Sequence, residues 1–259
     1  MFGVAASTPS ILPEQSPRIV RNVVLATLPE ADFAVLRPHF QLVALRRNEI
    51  IHDTSRCPDA VYFIESGIVS RVLRTAKDGA VEVASVGRSG FIGVSVVLGT
   101  MLAIQRTVVV IPGTALGIDA ETLRSLMRQH PAIKEHLLRY VQLLMVLKAQ
   151  IVLCNAKHEI SERVARWLLL AQDMLESDVI PVTHGLIAGA LGVRRAGISY
   201  ALAELESAGV VVGTRGSLRI LDLNGLRGHA CECHTVVKDR FRLFCDMPHH
   251  MHSLCERAI

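Results

Sequence analysis

The chain has 259 residues, half of them apolar, with a net charge of +4 and six cysteines. That much apolar material excludes a disordered chain, and the length leaves room for two modest domains. The weak basicity admits a polyanionic partner without requiring one, and few, scattered cysteines point to reduced thiols in a cytoplasmic protein rather than a disulfide framework.

Residues 1–27 read as a flexible leader ending in an N-terminal helix. Pro13 and Pro17 interrupt the leader, which lacks the basic start of a signal peptide. No run is read as a membrane span, and no membrane partner is expected. Residues 28–130 have a β texture. "VYFIESGIVSRVLR" and "AKDGAVEVASV" are strand-like runs with Asp78-Gly79 as a hairpin turn, and glycines punctuate further short strands. The pattern predicts an antiparallel barrel or sandwich, not alternating βαβ units.

Residues 131–157 predict one long helix opening on Pro131. Leu137, Tyr140, Leu144, Leu147 and Ile151 follow one another at spacings of three and four, a heptad seam. A second row, Leu138, Val141, Met145 and Val152, runs beside it with Lys148. A helix apolar on two sides needs two partners. One is the β domain. The other is the same helix of a second subunit, or else the interior of one large domain; the regular first seam favours a homodimer interface.

Residues 158–227 follow a polar hinge, "NAKHE", at which Lys157 and His158 are expected to face solvent. "ISERVARWLLLAQDML" then forms an amphipathic helix. In "THGLIAGALGVRRAGISYALAELESAGVVVGTRGSLRILD", Thr183 suits an N-cap and Gly192 a tight turn with positive φ. Ile187, Leu191, Val193 and Ile198 supply a small shared core. This is the spacing of a helix-turn-helix whose second helix enters the major groove with its N-terminal residues. Arginines at a helix start oppose the dipole there, but they suit phosphates and base edges. Arg195 is placed to read guanine bidentately and Arg194 to hold a phosphate or neighbouring base. Thr183, Ser199 and Tyr200 share the interface, Tyr200 with the alternative of packing on the wing, and Arg215 caps a two-stranded wing that touches the DNA backbone. Gly197 inside the helix costs about 1 kcal/mol relative to alanine and implies close approach to DNA or to a neighbouring helix.

Residues 228–259 are rich in cysteine and histidine, including Cys231, Cys233, His234, Cys245, His249, His250, His252 and Cys255. Their spacings match no standard zinc module, so no metal is expected there: ordinary thiols, a loose tail and a short helix packed on the DNA-binding domain. The whole is thus an α+β chain of antiparallel β domain, long helix and winged helix-turn-helix.

In that order these parts resemble the Crp/Fnr superfamily of bacterial transcription regulators, over roughly Leu28 to Leu223. "VYFIESGIVSRVLRTAKDGAVEVASVGRSGFIG" is similar to the family's effector-domain core, and "LGVRRAGISYALAELESAGVV" to its recognition region. For the β domain the resemblance implies an antiparallel β-roll of the jelly-roll or double-stranded β-helix type. For the whole chain it implies a dimeric, sequence-specific regulator of double-stranded DNA that works with RNA polymerase when it activates. It also implies an effector site at Gly93, Arg106, Thr107 and Lys148. Cyclic-nucleotide-binding members carry a Gly-Glu pair before a short helix and an Arg-Ser or Arg-Thr pair after it. Arg106 and Thr107 match the second pair, but Val94 stands where the glutamate would accept the ribose hydroxyl. An unmatched buried hydroxyl costs about 1–3 kcal/mol, which argues against cyclic AMP and leaves Arg106 as a structural residue or a ligand for another anion. Well-known members also place Glu and Arg where Ala196 and Tyr200 stand, so the operator should differ from the best-known half-site. No cysteine precedes Cys57, so no iron–sulfur cluster is expected. No enzymatic motif stands out. The competing reading is a β-roll module that works by ligand sensing or protein contact with a non-functional helix-turn-helix.

Overall fold

Two long strands organise the N-terminal half. In this computed structural model, which describes residues 9–11, 20–75 and 79–246, β4 (Ala60–Thr75) and β7 (Arg106–Asp119) pair antiparallel over most of their length. With β1 (Ser10–Ile11), β2 (Gln41–Leu45), β3 (Ile50–His52), β5 (Gly79–Val86) and β6 (Phe91–Ile92) they form a seven-stranded sheet. Its main path is β1-β2-β7-β4-β5. The sheet curls where the register between β4 and β7 slips, from Ile64 to Val69. There Gly67 takes a φ of 84°, and a Cβ on Gly113 would lie 2.1 Å from the Ser66 carbonyl oxygen. Only glycine lets the two backbones come this close, and the bend wraps the sheet around Val43, Ile64, Val69, Val109 and Ala115. This is the expected β-roll. Its β4–β5 hairpin sets Thr75 opposite Gly79; Asp78, the expected turn residue, lies outside the described residues.

Helices α1 (Val23–Ala26), α2 (Glu30–Leu36), α3 (Val94–Leu98) and α4 (Ala120–Gln129) accompany the roll. The end of the leader is not flexible. Asn22 is fully buried: its side chain caps α1 by accepting from the Leu25 N–H and donates to the Ile64 and Gly90 carbonyls. Residues 1–8 and 12–19 of the leader lie outside the described residues.

The long helix is α5 (Pro131–Lys157). At 27 residues, with a mean hydropathy of 1.6 in its most apolar window, it is long and apolar enough to cross a membrane by those criteria, contrary to the sequence expectation. One side explains part of that apolarity. Ile133, Leu137, Tyr140 and Leu144 are buried in the chain's own core with Phe63, Phe91 and Val96. The helix stops at His158, which is extended, and α6 (Ile160–Leu175) starts at once with a capping box in which the Glu162 carboxylate accepts from the Glu159 N–H at 2.9 Å.

Beyond α6 come β8 (Val179–Ile180), α7 (His184–Leu191), α8 (Arg195–Ser207), β9 (Val211–Thr214), β10 (Ser217–Ile220), α9 (Leu223–His229) and α10 (Cys233–Asp246). The apolar faces of α6, α7 and α8 meet in one core around Leu168, Ile187, Ile198 and Leu202. The wing has a third strand that sequence patterning did not reveal, β8, paired with β10. Gly197 makes room for α6: a Cβ there would come 3.2 Å from the Ile160 methyl.

The C-terminal extension is not a loose tail as far as Asp246. Its helix α10 lies chiefly along α5, with contacts to α6, rather than on the DNA-binding domain alone. Phe244 is buried against His136 and Tyr140, at ring distances of 5.4 and 6.1 Å. Residues 247–259, with His249, His250, His252 and Cys255, lie outside the described residues.

Leu168 is completely buried at the centre of the α6–α8 core. Leu168→Ala should therefore cost about 2–5 kcal/mol, read as a lower urea midpoint.

Candidate nucleic-acid interface and effector cavity

The helix-turn-helix is built by local chemistry. Thr183 is the N-cap of α7, its hydroxyl accepting from the Leu186 N–H at 3.3 Å. Gly192 ends the helix in the left-handed region at a φ of 65°, and the Val193 N–H returns to the Ala188 carbonyl. Three residues separate α7 from α8. Arg194 is the N-cap residue of α8 but makes no side-chain cap, so its guanidinium is not spent on the helix.

Ile198, Ala201, Leu202 and Leu205 turn inward. The opposite face of the first two turns, Arg194, Arg195, Ala196, Ser199 and Tyr200, is exposed. Tyr200 is 69 % exposed and does not pack on the wing. Ser199 shares a 3.0 Å hydrogen bond with His184, which ties the exposed face of α8 to the start of α7. Arg215 stands at the exposed tip between β9 and β10. One cleft of about 210 Å³ brings together Thr183, Arg195 and wing residues Thr214 and Ser217. Thr183 and Arg195 thus border one cleft with the wing, while Arg194, Ser199, Tyr200 and Arg215 are exposed outside it.

The expected effector residues are not brought together in the same way. Gly93 is a backbone residue: its φ is 105°, and a Cβ there would come 2.9 Å from a Val61 methyl. Arg106 is held bidentately by Asp53, at 2.8 and 2.9 Å, and this hydrogen bonding is the main reason the Asp53 carboxyl lies below its ordinary range. Thr107 is buried within β7, opposite Arg71 on β4. Lys148 is elsewhere. It lines a cavity of about 700 Å³ whose walls include none of Gly93, Arg106 or Thr107.

That cavity lies between β5, α5, α6 and α10, lined by Val86, Leu144, Leu147, Trp167 and Phe241 among others. Its polar groups are few. Glu82 on β5 receives hydrogen bonds from the Ser70 and Ser85 hydroxyls, yet removal from water dominates and raises its carboxyl pKa. Burial, helped by the charge of Arg71, lowers the Lys148 ammonium. Apolar walls with a few convergent polar groups are what a small-molecule site requires.

Sequence reasoning missed a second cluster. Cys231 and Cys233 are 4 % and 1 % exposed and pack with the fully buried Cys154. His158, expected at the solvent, instead turns to them, with Nδ1 3.5 Å from the Cys233 sulfur and Nε2 3.2 Å from Glu232. The signal available in sequence was Cys154 and His158 four apart on a helix, with Cys231-x-Cys233 far downstream. No local spacing joins the two halves.

A curled antiparallel β-roll, a long helix and a winged helix-turn-helix whose second helix opens on two exposed arginines make up the described architecture. Residues 162–228 match the Crp-like helix-turn-helix domain. A Silicibacter pomeroyi protein, provisionally described as a cAMP-binding regulatory protein, is 25 % identical; the match covers 82 % of this chain and 96 % of that one, with a TM-score of 0.62. FixK2 from Bradyrhizobium japonicum is 15 % identical, with 74 % and 98 % of the two chains covered and a TM-score of 0.63. The Crp-family regulator TTHB099 from Thermus thermophilus is 20 % identical, with 72 % and 95 % covered and a TM-score of 0.61. No curated protein sequence matches. The chain is thus similar in fold to solved Crp/Fnr-type regulators over most of its length, and its residues 162–228 carry a Crp-like helix-turn-helix domain.

Glu82 provides a pH test of the cavity. Its folded-state pKa is raised, so the fold holds the proton more tightly than the unfolded chain does. That stability is full below the unfolded value and is lost as pH rises through the folded one. Glu82→Gln should abolish this part of the slope, so that its stability advantage over the wild type grows from pH 4 towards neutrality in urea titrations. An advantage independent of pH would rule this assignment out.

Proposed function

We propose that the protein acts as a homodimer that reads an inverted-repeat operator through the N-terminal turns of α8. The observation that carries this reading is the exposed, uncommitted Arg194–Arg195 pair at the start of α8, beside the wing arginine Arg215. Arg195 reads a base edge, Arg194 and Arg215 contact phosphates, and Ala196 offers a methyl to thymine. A vestigial helix-turn-helix would have no need of an intact N-cap, turn glycine and buried core supporting an exposed basic face.

Dimerisation is assigned to the exposed side of α5. Leu137 and Tyr140 are 0 % and 1 % exposed within the single chain, and Leu144 is buried with them, because the roll occupies their side of the helix. In this reading they are not interface residues, and Leu147 and Ile151, half-buried, line the cavity beside Lys148 instead. The row left open is Gln142, Met145, Ala149, Val152 and Ala156, with Met145 and Val152 68 % and 69 % exposed. Its spacing of three and four, with alanines that permit close approach, suits a parallel helix pair about a two-fold axis. A partner helix there accounts for the open apolar face without a membrane, in keeping with a cytoplasmic regulator.

The effector in this reading is not cyclic AMP. Val94 offers no acceptor for a ribose hydroxyl, and Asp53 already occupies the Arg106 guanidinium. An effector would instead occupy the cavity bordered by Lys148. Contact with RNA polymerase follows if the operator lies at an activating position.

Arg195→Ala should weaken binding to a selected operator by about 1–3 kcal/mol and relax specificity at one position of each half-site. Arg215→Ala should weaken all sequences alike and make the salt dependence shallower. Unchanged operator affinity in Arg195→Ala would favour the protein-interaction module.

A further inference from the structure

Four side chains from three places in the chain converge where α5 ends. Cys154 lies in the last turns of α5, and His158 stands four residues on, at its C-cap. Cys231 lies in the turn between α9 and α10, and Cys233 is the first residue of α10. Their donor atoms all fall within 4.8 Å of one another. We propose that Cys154, His158, Cys231 and Cys233 form a closed tetrahedral site for one zinc-type divalent ion, which fastens the start of α10 to the hinge between α5 and α6.

The distances suit one shared ion. With zinc–sulfur and zinc–nitrogen bonds of about 2.3 and 2.0–2.1 Å, a tetrahedron separates two sulfurs by about 3.8 Å and a sulfur from a nitrogen by about 3.6 Å. The Cys154 and Cys231 sulfurs are 3.6 Å apart, and the Cys233 sulfur is 3.5 Å from His158 Nδ1. The sulfur separation is well beyond a disulfide bond of about 2.05 Å. A multi-iron cluster would need its thiolates spread wider than this compact set.

The surroundings match the donors. His158 presents Nδ1 to the sulfurs while its Nε2 lies 3.2 Å from the Glu232 carboxylate, the carboxylate–histidine pairing that orients a metal-bound imidazole. Gln150 donates to the Cys233 sulfur at 3.0 Å, as a donor to a thiolate would. Three thiolates and a dication leave one negative charge in a buried place. Arg166, 5 % exposed, acts on Cys154 through its positive charge, and its Nε has no hydrogen-bond partner. All four positions are filled by protein, so the ion is structural rather than catalytic.

Where the ion sits gives it a consequence. It joins residues of the hinge to the root of α10, the helix that lies along α5 and walls the apolar cavity. Metal loss therefore frees α10 and the hinge together.

The test uses the full chain, purified reduced and without chelator. Elemental analysis should find about one zinc per chain, and replacement by cobalt should give thiolate-to-cobalt charge-transfer absorption. Cys231→Ser should weaken zinc binding at least about 100-fold. Glu232→Gln keeps all four donors and should weaken it roughly 10–100-fold. Cys57→Ser, which removes an exposed cysteine outside the cluster, should leave it unchanged. Folded, reduced protein with no stoichiometric metal and no cobalt–thiolate absorption would overturn the proposal. So would zinc binding indifferent to both Cys231→Ser and Glu232→Gln, which would put the ion on other residues.

Discussion

The packing of one side of α5 against the β-roll determines where every other functional element stands. Ile133, Leu137 and Tyr140 are sealed against Phe91 and the α3 residue Val96. A helix held by that side must offer its other side outward, so Met145 and Val152 become available to a partner. The same anchoring fixes where α5 ends, and hence where the hinge and α6 begin. Because a buried aromatic such as Tyr140 tolerates little displacement, the helix transmits position rather than absorbing it.

From that point two layers of contact tie the DNA-binding half to the roll. Arg21 and Arg88 both pair with Glu176 at the end of α6, and the Arg47 guanidinium donates to the Pro181 carbonyl at 3.1 Å. Exposed ion pairs of this kind are individually weak. Apolar packing adds to them: Ile68 of β4 and Ile111 of β7 are buried in the same core as Leu168, Ile187 and Ile198. The apolar cavity touches β5, α5, α6 and α10, the elements whose relative placement sets the direction in which α8 points.

Much of this was legible in the sequence because it rests on local chemistry. Thr183, Gly192 and the apolar spacing from Ile187 to Ile198 define the helix-turn-helix within a few turns, where neighbours in sequence are neighbours in space. Glycines at Gly67 and Gly113 mark a β region for a similar reason. What sequence could not show is pairing across distance. Periodicity finds two apolar rows on α5 but not which partner takes which row, and the more regular row, with Leu137 and Tyr140, faces the roll. Arg106 matches a phosphate-binding motif, but its bidentate bond to Asp53, 53 residues earlier, appears only in the fold. The Cys154 and Cys231 sulfurs meet across 77 residues, beyond any motif spacing. A side chain's chemistry is written in the sequence; its company is not.

The most direct measurement of the central claim is selection of binding sites from a random double-stranded DNA library by the full-length protein, followed by footprinting of the winners. The account predicts a two-fold symmetric sequence whose half-sites lie about one helical turn, 10–10.5 base pairs, centre to centre. Protection should fall on one face of the duplex, with the major groove covered in each half. Recovery of a single asymmetric half-site would contradict the dimer formed through α5, and no enrichment over the starting library would contradict DNA reading by α8 altogether.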